Sequence, residues 1–135
     1  MIPTNTFLFK IHVKDSKSCS FCNVEDETIE HLFFDCPCTY QFWRVFFECL
    51  KRYFNNIELN KKNVLLGFQT LQDNLLLNLL TIITKNYIYK CKFKDKIPNI
   101  VELKFKIKNY YSLELYIARK NNKLAAFEKF WGPLK

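Results

Sequence analysis

The chain has 135 residues, 49% apolar and 25% charged, the size and make-up of one globular domain rather than of a disordered segment. Eight of the 21 basic residues and nine of the 13 acids lie in residues 1–84, so that part carries net −1 and residues 85–135 carry +9. With only Gly67 and Gly132 in the chain, there is no glycine-rich phosphate loop, and the turns of a sandwich or barrel are not provided for. The expected class is mainly α, with several long helices.

Taken in order, residues 3–13 predict a short helix behind Thr4 or Thr6, with Phe7, Leu8 and Ile11 as its apolar side. Residues 14–18 read as loop and CSFCNVEDE as a tight turn with an acidic rim. A helix is expected next, capped by Thr28 or Asp26, with Glu27 and Glu30 at its positive end and Ile29, Leu32 and Phe33 inward, until Pro37 interrupts it. From Cys38 to Phe54 the set Tyr40, Trp43, Phe47, Leu50 and Phe54 recurs at helical steps. Residues 55–63 are a polar connector, and VLLGF suits either a strand or a helical turn.

A long helix is predicted from Leu71 to about Phe93, with Leu75, Leu79, Ile82 and Ile83 on one face and Pro98 marking the break. A second runs from about Asn99, with Leu103, Ile107, Tyr110, Leu113 and Ile117 inward; a last short one ends at Trp131 before Gly132 and Pro133. The division expected is 1–54, a zinc-knuckle unit with flanking helices, and 55–135, a basic helical part packed on it. No charged and apolar leader opens the sequence, and its greasiest stretch, Leu75 to Ile83, is too short for a bilayer. An intracellular, reducing setting with no membrane partner is therefore expected, and six cysteines there favour metal ligation or burial over disulfides.

Cys19-x2-Cys22-x8-His31-x4-Cys36 offers three thiols and an imidazole, the ligand set of a closed structural zinc site, one ion per chain. Cys36 is preferred as fourth ligand, with Cys38 as its substitute across Pro37; Cys49 and Cys91 are expected to be buried, and His12 has no ligand neighbour. A cysteine nucleophile activated by His31 would need an orienting acid and an oxyanion hole that nothing marks. An open catalytic zinc with Glu27 or Glu30 as base fits poorly with four strong ligands.

The string CSFCNVEDETIEHLFFDCPCTYQFW resembles the zinc-binding domain that follows the reverse transcriptase in LINE-type non-LTR retrotransposons. The resemblance rests on the Cys19–Cys22 pair, Glu27-Thr28, His31-Leu32-Phe33, Cys36 and Trp43. IPTNTFLFKIHVKDS before it, and more loosely IITKNYIYKCKFKDKIP after it, resemble the corresponding parts of such polyproteins. It implies Cys19, Cys22, His31 and Cys36 as metal ligands and a role in holding RNA or DNA while a polymerase copies it. No Tyr-x-Asp-Asp motif or aspartate pair for two-metal chemistry is present, so the chain reads as a non-catalytic tail fragment with a reverse transcriptase as partner in trans.

Lys85, Lys90, Lys92, Lys94, Lys96, Lys104, Lys106 and Lys108 form the candidate nucleic-acid surface, for RNA or single-stranded DNA. The interleaved Tyr87, Tyr89, Phe93 and Phe105 are assigned to packing by their helical offsets, and the period-two runs KCKFK and KFKIK are read as helix rather than strand. The rival readings are a helical protein-interaction module in which zinc is structural, and a nonfunctional retroelement remnant.

Overall fold

The structure, a computed structural model, describes residues 3–68 and 75–134. The described residues are mainly helical, as expected: α1 (Asn5–Lys10), a π turn (His31–Asp35), α2 (Pro37–Leu50), α3 (Lys61–Leu66), α4 (Leu75–Phe93), α5 (Ile100–Lys120) and α6 (Leu124–Trp131), then a 3-10 turn over Gly132–Leu134. Among them the extended backbone amounts to one isolated antiparallel bridge, Ser18 to Asp26. No helix among them is long and apolar enough to cross a membrane.

The caps follow from side-chain chemistry. Thr4 Oγ1 accepts from Phe7 N at 3.5 Å, Asn60 Oδ1 from Asn63 N at 2.8 Å and Asn99 Oδ1 from Val101 N at 2.8 Å, each satisfying an N–H at the start of a helix. VLLGF belongs to a helix, α3, which stops at Gly67, whose φ of 89° a side chain would strain. The α4 backbone ends at Phe93, before Pro98, where Asp95 adopts φ 51° and Lys96 N returns to Cys91 O at 3.2 Å. The predicted start of this helix at Leu71 lies outside the described residues.

One core joins all parts: Leu32, Phe33, Trp43, Phe47, Val64, Leu77, Leu80, Ile88, Leu103 and Trp131 belong to a single buried cluster. Three predicted faces are displaced. In α2 Tyr40 is exposed, and Thr39, Phe42 and Phe46 share the inner side with Trp43, Phe47 and Leu50. In α4 Leu75 and Ile82 face solvent, while Leu77, Leu80, Thr81, Thr84, Ile88 and Cys91 point inward. Thr81 and Thr84 are tolerated there because their hydroxyls bond Leu77 O at 2.8 Å and Leu80 O at 2.7 Å, so a pattern drawn through aliphatics alone missed them, although its Leu79 and Ile83 do pack against the core. In α5 Leu113 and Ile117 are exposed, and the inward set is Leu103, Ile107, Tyr110, Tyr111 and Ala118. Tyr111 meets Trp131 of α6 edge-to-face at 5.3 Å.

Tyr87 fixes the corner between α4 and α5. Its hydroxyl accepts from Asn99 N at 2.9 Å and donates to Glu102 Oε2 at 2.6 Å, tying the end of one helix to the cap of the next.

Candidate metal centre

Residues 17–27 fold into a small loop held by its own backbone. Cys19 N donates to Glu25 O at 2.8 Å, Asn23 N to Cys19 O at 3.0 Å and Glu27 N to Lys17 O at 2.8 Å. Asn23 takes φ 57°, a left-handed conformation that asparagine accepts more readily than most residues, and so reverses the chain after Cys22. Phe21 N–H donates to Cys19 Sγ at 3.4 Å, an amide that favours the thiolate.

The other two donors are five residues apart, and an α-helix would set them about 140° apart around its axis. The chain takes a π turn instead, in which Cys36 N donates to His31 O at 2.8 Å, so the wider turn brings the two residues into line. Thr28 Oγ1 caps the start by accepting from His31 N at 3.1 Å. Pro37 forces the stop: the residue before a proline is pushed from the helical region, and Cys36 sits at φ −59°, ψ 130°. Carbonyls freed by this irregular turn are taken up by α2, where Thr39 Oγ1 donates to Leu32 O at 2.8 Å and Trp43 Nε1 to Phe33 O at 2.7 Å.

The ligand atoms of Cys19, Cys22, His31 and Cys36 all lie within 4.8 Å of one another, and Cys38 is not in the cluster. Cys19 Sγ is 3.8 Å from Cys36 Sγ, and Cys22 Sγ is 3.3 Å from His31 Nε2. A zinc tetrahedron with bonds of about 2.3 Å to sulfur and 2.0 Å to nitrogen has S···S edges of about 3.8 Å and S···N edges of about 3.5 Å. The donor set therefore fits zinc in chemistry, and these two edges fit it in length. His31 Nδ1 faces Glu25 Oε2 at 3.5 Å, which leaves Nε2 as the metal-facing nitrogen and supplies the outer carboxylate common at such sites.

The two close thiols divide one proton. Hydrogen bonding with Cys36, then burial, pushes the Cys19 thiol well up, whereas donation from Cys19 holds Cys36 down to about 4. Ionising both sulfurs at this separation calls for a cation between them.

Glu27 is placed differently from its expected role at a helix start. It is fully buried, and its carboxylate accepts from Asn5 N at 2.8 Å, Ser20 N at 2.8 Å, Ser20 Oγ at 2.8 Å and the Lys92 ammonium. Lys92 also reaches Asn5 Oδ1 at 2.6 Å. Burial alone would raise the Glu27 carboxyl, but the Lys92 ammonium and then the Ser20 and Asn5 donors hold it below the usual glutamate value. The pair locks the knuckle to α1 and α4. Nothing in the local pattern signals this, since the partners are 65 residues apart.

Lys92 is thus removed from the proposed basic surface, and three other lysines are engaged as well. Half-buried Lys85 donates to Leu65 O at 3.3 Å and has its pKa lowered by burial; Lys96 pairs with both Glu102 oxygens at 3.0 and 2.8 Å; Lys106 lies 5.8 Å from the Tyr87 ring centre. Lys90, Lys94, Lys104 and Lys108 are exposed, and none makes an ion pair or side-chain hydrogen bond among the described residues. Of the aromatics assigned to packing, Tyr87 is buried and Tyr89 half-buried, but Phe93 and Phe105 are exposed. Cys91 is buried and Cys49 half-buried; His12, exposed at φ 62° after α1, stands outside the cluster.

Residues 1–43 match the family described as zinc-binding in reverse transcriptase, a span that takes in all four ligands and ends at Trp43. No curated protein and no solved structure matches the chain.

Proposed function

We propose that the chain is a non-catalytic, zinc-fixed nucleic-acid-binding module derived from the reverse transcriptase polyprotein of a LINE-type non-LTR retrotransposon. It holds RNA or single-stranded DNA for reverse transcription, with the polymerase acting in trans. The observation that carries this reading is the Cys19–Cys22–His31–Cys36 cluster, its donor atoms within 4.8 Å of one another, inside a segment that matches the reverse transcriptase zinc-binding family. Zinc, when bound, cross-links the knuckle to the π turn and takes no part in chemistry.

The four protein groups set the knuckle, the π turn delivers α2, and the Glu27–Lys92 pair carries the same orientation into α4. The phosphate-binding part is the +9 excess of residues 85–135, of which Lys90, Lys94, Lys104 and Lys108 are free to meet a strand.

Fluorescence anisotropy of a labelled single-stranded RNA with the zinc-loaded protein tests the reading. Four lysine–phosphate contacts on a single strand predict a loss of affinity of about 50-fold between 50 and 200 mM salt. A flat salt response, or no binding at low salt, contradicts it.

A further inference from the structure

Large exposed aromatic rings are unusual where a core is available to receive them, and this chain buries most of its own. Phe93 is 59% exposed at the end of α4, and Phe105 is 63% exposed on the outer side of α5. Each has two exposed, unpaired lysines beside it. Lys90 lies three residues before Phe93 and Lys94 one after; Lys104 lies one before Phe105 and Lys108 three after. Residues three apart on a helix are surface neighbours, so Lys90 lies beside Phe93 and Lys108 beside Phe105, while Lys94 and Lys104 adjoin the rings in sequence.

The surroundings hold the rings without covering them. Tyr89 meets Phe93 edge-to-face at 4.9 Å, with the planes 85° apart, and the Lys92 ammonium lies 5.8 Å from the ring centre, while the residue stays 59% exposed. On an adjoining face of α5, Lys104 and Lys108 line a recess of about 250 Å³ together with Ile107, Tyr111 and Trp131. An aromatic face with flanking cations matches an unpaired base and its adjoining phosphates. A duplex hides its base faces in its own stack and can offer these rings nothing but its backbone.

We propose that Phe93 and Phe105 are base-stacking stations for single-stranded nucleic acid, with Lys90 and Lys94 at the first and Lys104 and Lys108 at the second taking the flanking phosphates. This rests on the nucleic-acid reading above and adds to it where, and by which contact, a strand is held. Such stacking is tolerant of sequence, because every base has a π-face.

The test uses the zinc-loaded full chain, a 12-nucleotide oligo-U, an oligo-dT of the same length and a 12-base-pair duplex. The wild type should bind both single strands about tenfold or more tightly than the duplex. Phe93→Ala and Phe105→Ala should each weaken single-strand binding by about fivefold or more, without changing the salt dependence or bound zinc. Phe105→Leu should behave as the alanine variant, since it keeps apolar bulk and loses the π-face, while Phe105→Trp should retain binding. Single-strand affinity unchanged in both alanine variants, or equal affinity for duplex, overturns the stations while the salt-dependent binding of the wild type still stands. Absence of binding to every probe overturns the nucleic-acid reading itself and the stations with it.

Discussion

Glu27 and Lys92 form a fully desolvated ion pair across 65 residues of sequence, joining the zinc knuckle to the last turns of α4. Both charges are satisfied by further donors and acceptors from Asn5 and Ser20, which is the condition under which a buried pair holds a unique arrangement.

Removing one partner leaves the other charge buried and alone. Lys92→Met and Glu27→Gln should therefore each cost roughly 3–5 kcal/mol in urea unfolding of the zinc-loaded protein. The double variant Lys92→Met, Glu27→Gln should cost less than the sum of its singles, because no uncompensated charge remains. Additive losses would show that the two groups are not coupled.

The same carboxylate gives a pH dependence of known sign. A glutamate held below its usual value in the folded state contributes stability that is complete above about pH 4.3 and is lost as pH falls through the lowered folded value. Acid titration of stability should show this loss in the wild type and a shallower slope in Glu27→Gln over the same range. Equal slopes would contradict the role given to Glu27.

Trp43, on α2, donates its indole N–H to Phe33 O of the π turn. Trp43→Phe keeps an aromatic ring but leaves Phe33 O without its donor, so it should cost about 1–3 kcal/mol beyond the change in packing. Thr39→Val removes the companion bond to Leu32 O and should act in the same direction by about 1 kcal/mol. Thermal unfolding of the two variants checks both.

The candidate metal ligands were legible because their spacing is local: a Cys-x2-Cys turn and a His-x4-Cys step bring them within eighteen residues, and Pro37 marks where the second step must end. Helices were legible from Thr4 as a cap, from the start placed near Asn99 and from Gly132 as a stop. The inward faces were less so. Thr81 and Thr84 are polar by type but internally bonded, and Leu113 is apolar by type but exposed. Glu27 and Lys92 look like surface charges until α4 and the knuckle are brought together, and Phe93 and Phe105 share the helical offsets of packed residues while facing solvent. Each failure is a tertiary contact, or the lack of one, overriding a pattern that only neighbours in sequence can set.

The most direct measurement is bound zinc per chain in protein purified without added metal, alongside helical circular dichroism before and after chelation. The account predicts about one zinc, retained in Cys38→Ser and lost in Cys22→Ser and Cys36→Ser, with helicity falling when the metal is removed. A well-folded wild type without zinc, or zinc that survives Cys36→Ser and is lost in Cys38→Ser, would contradict it.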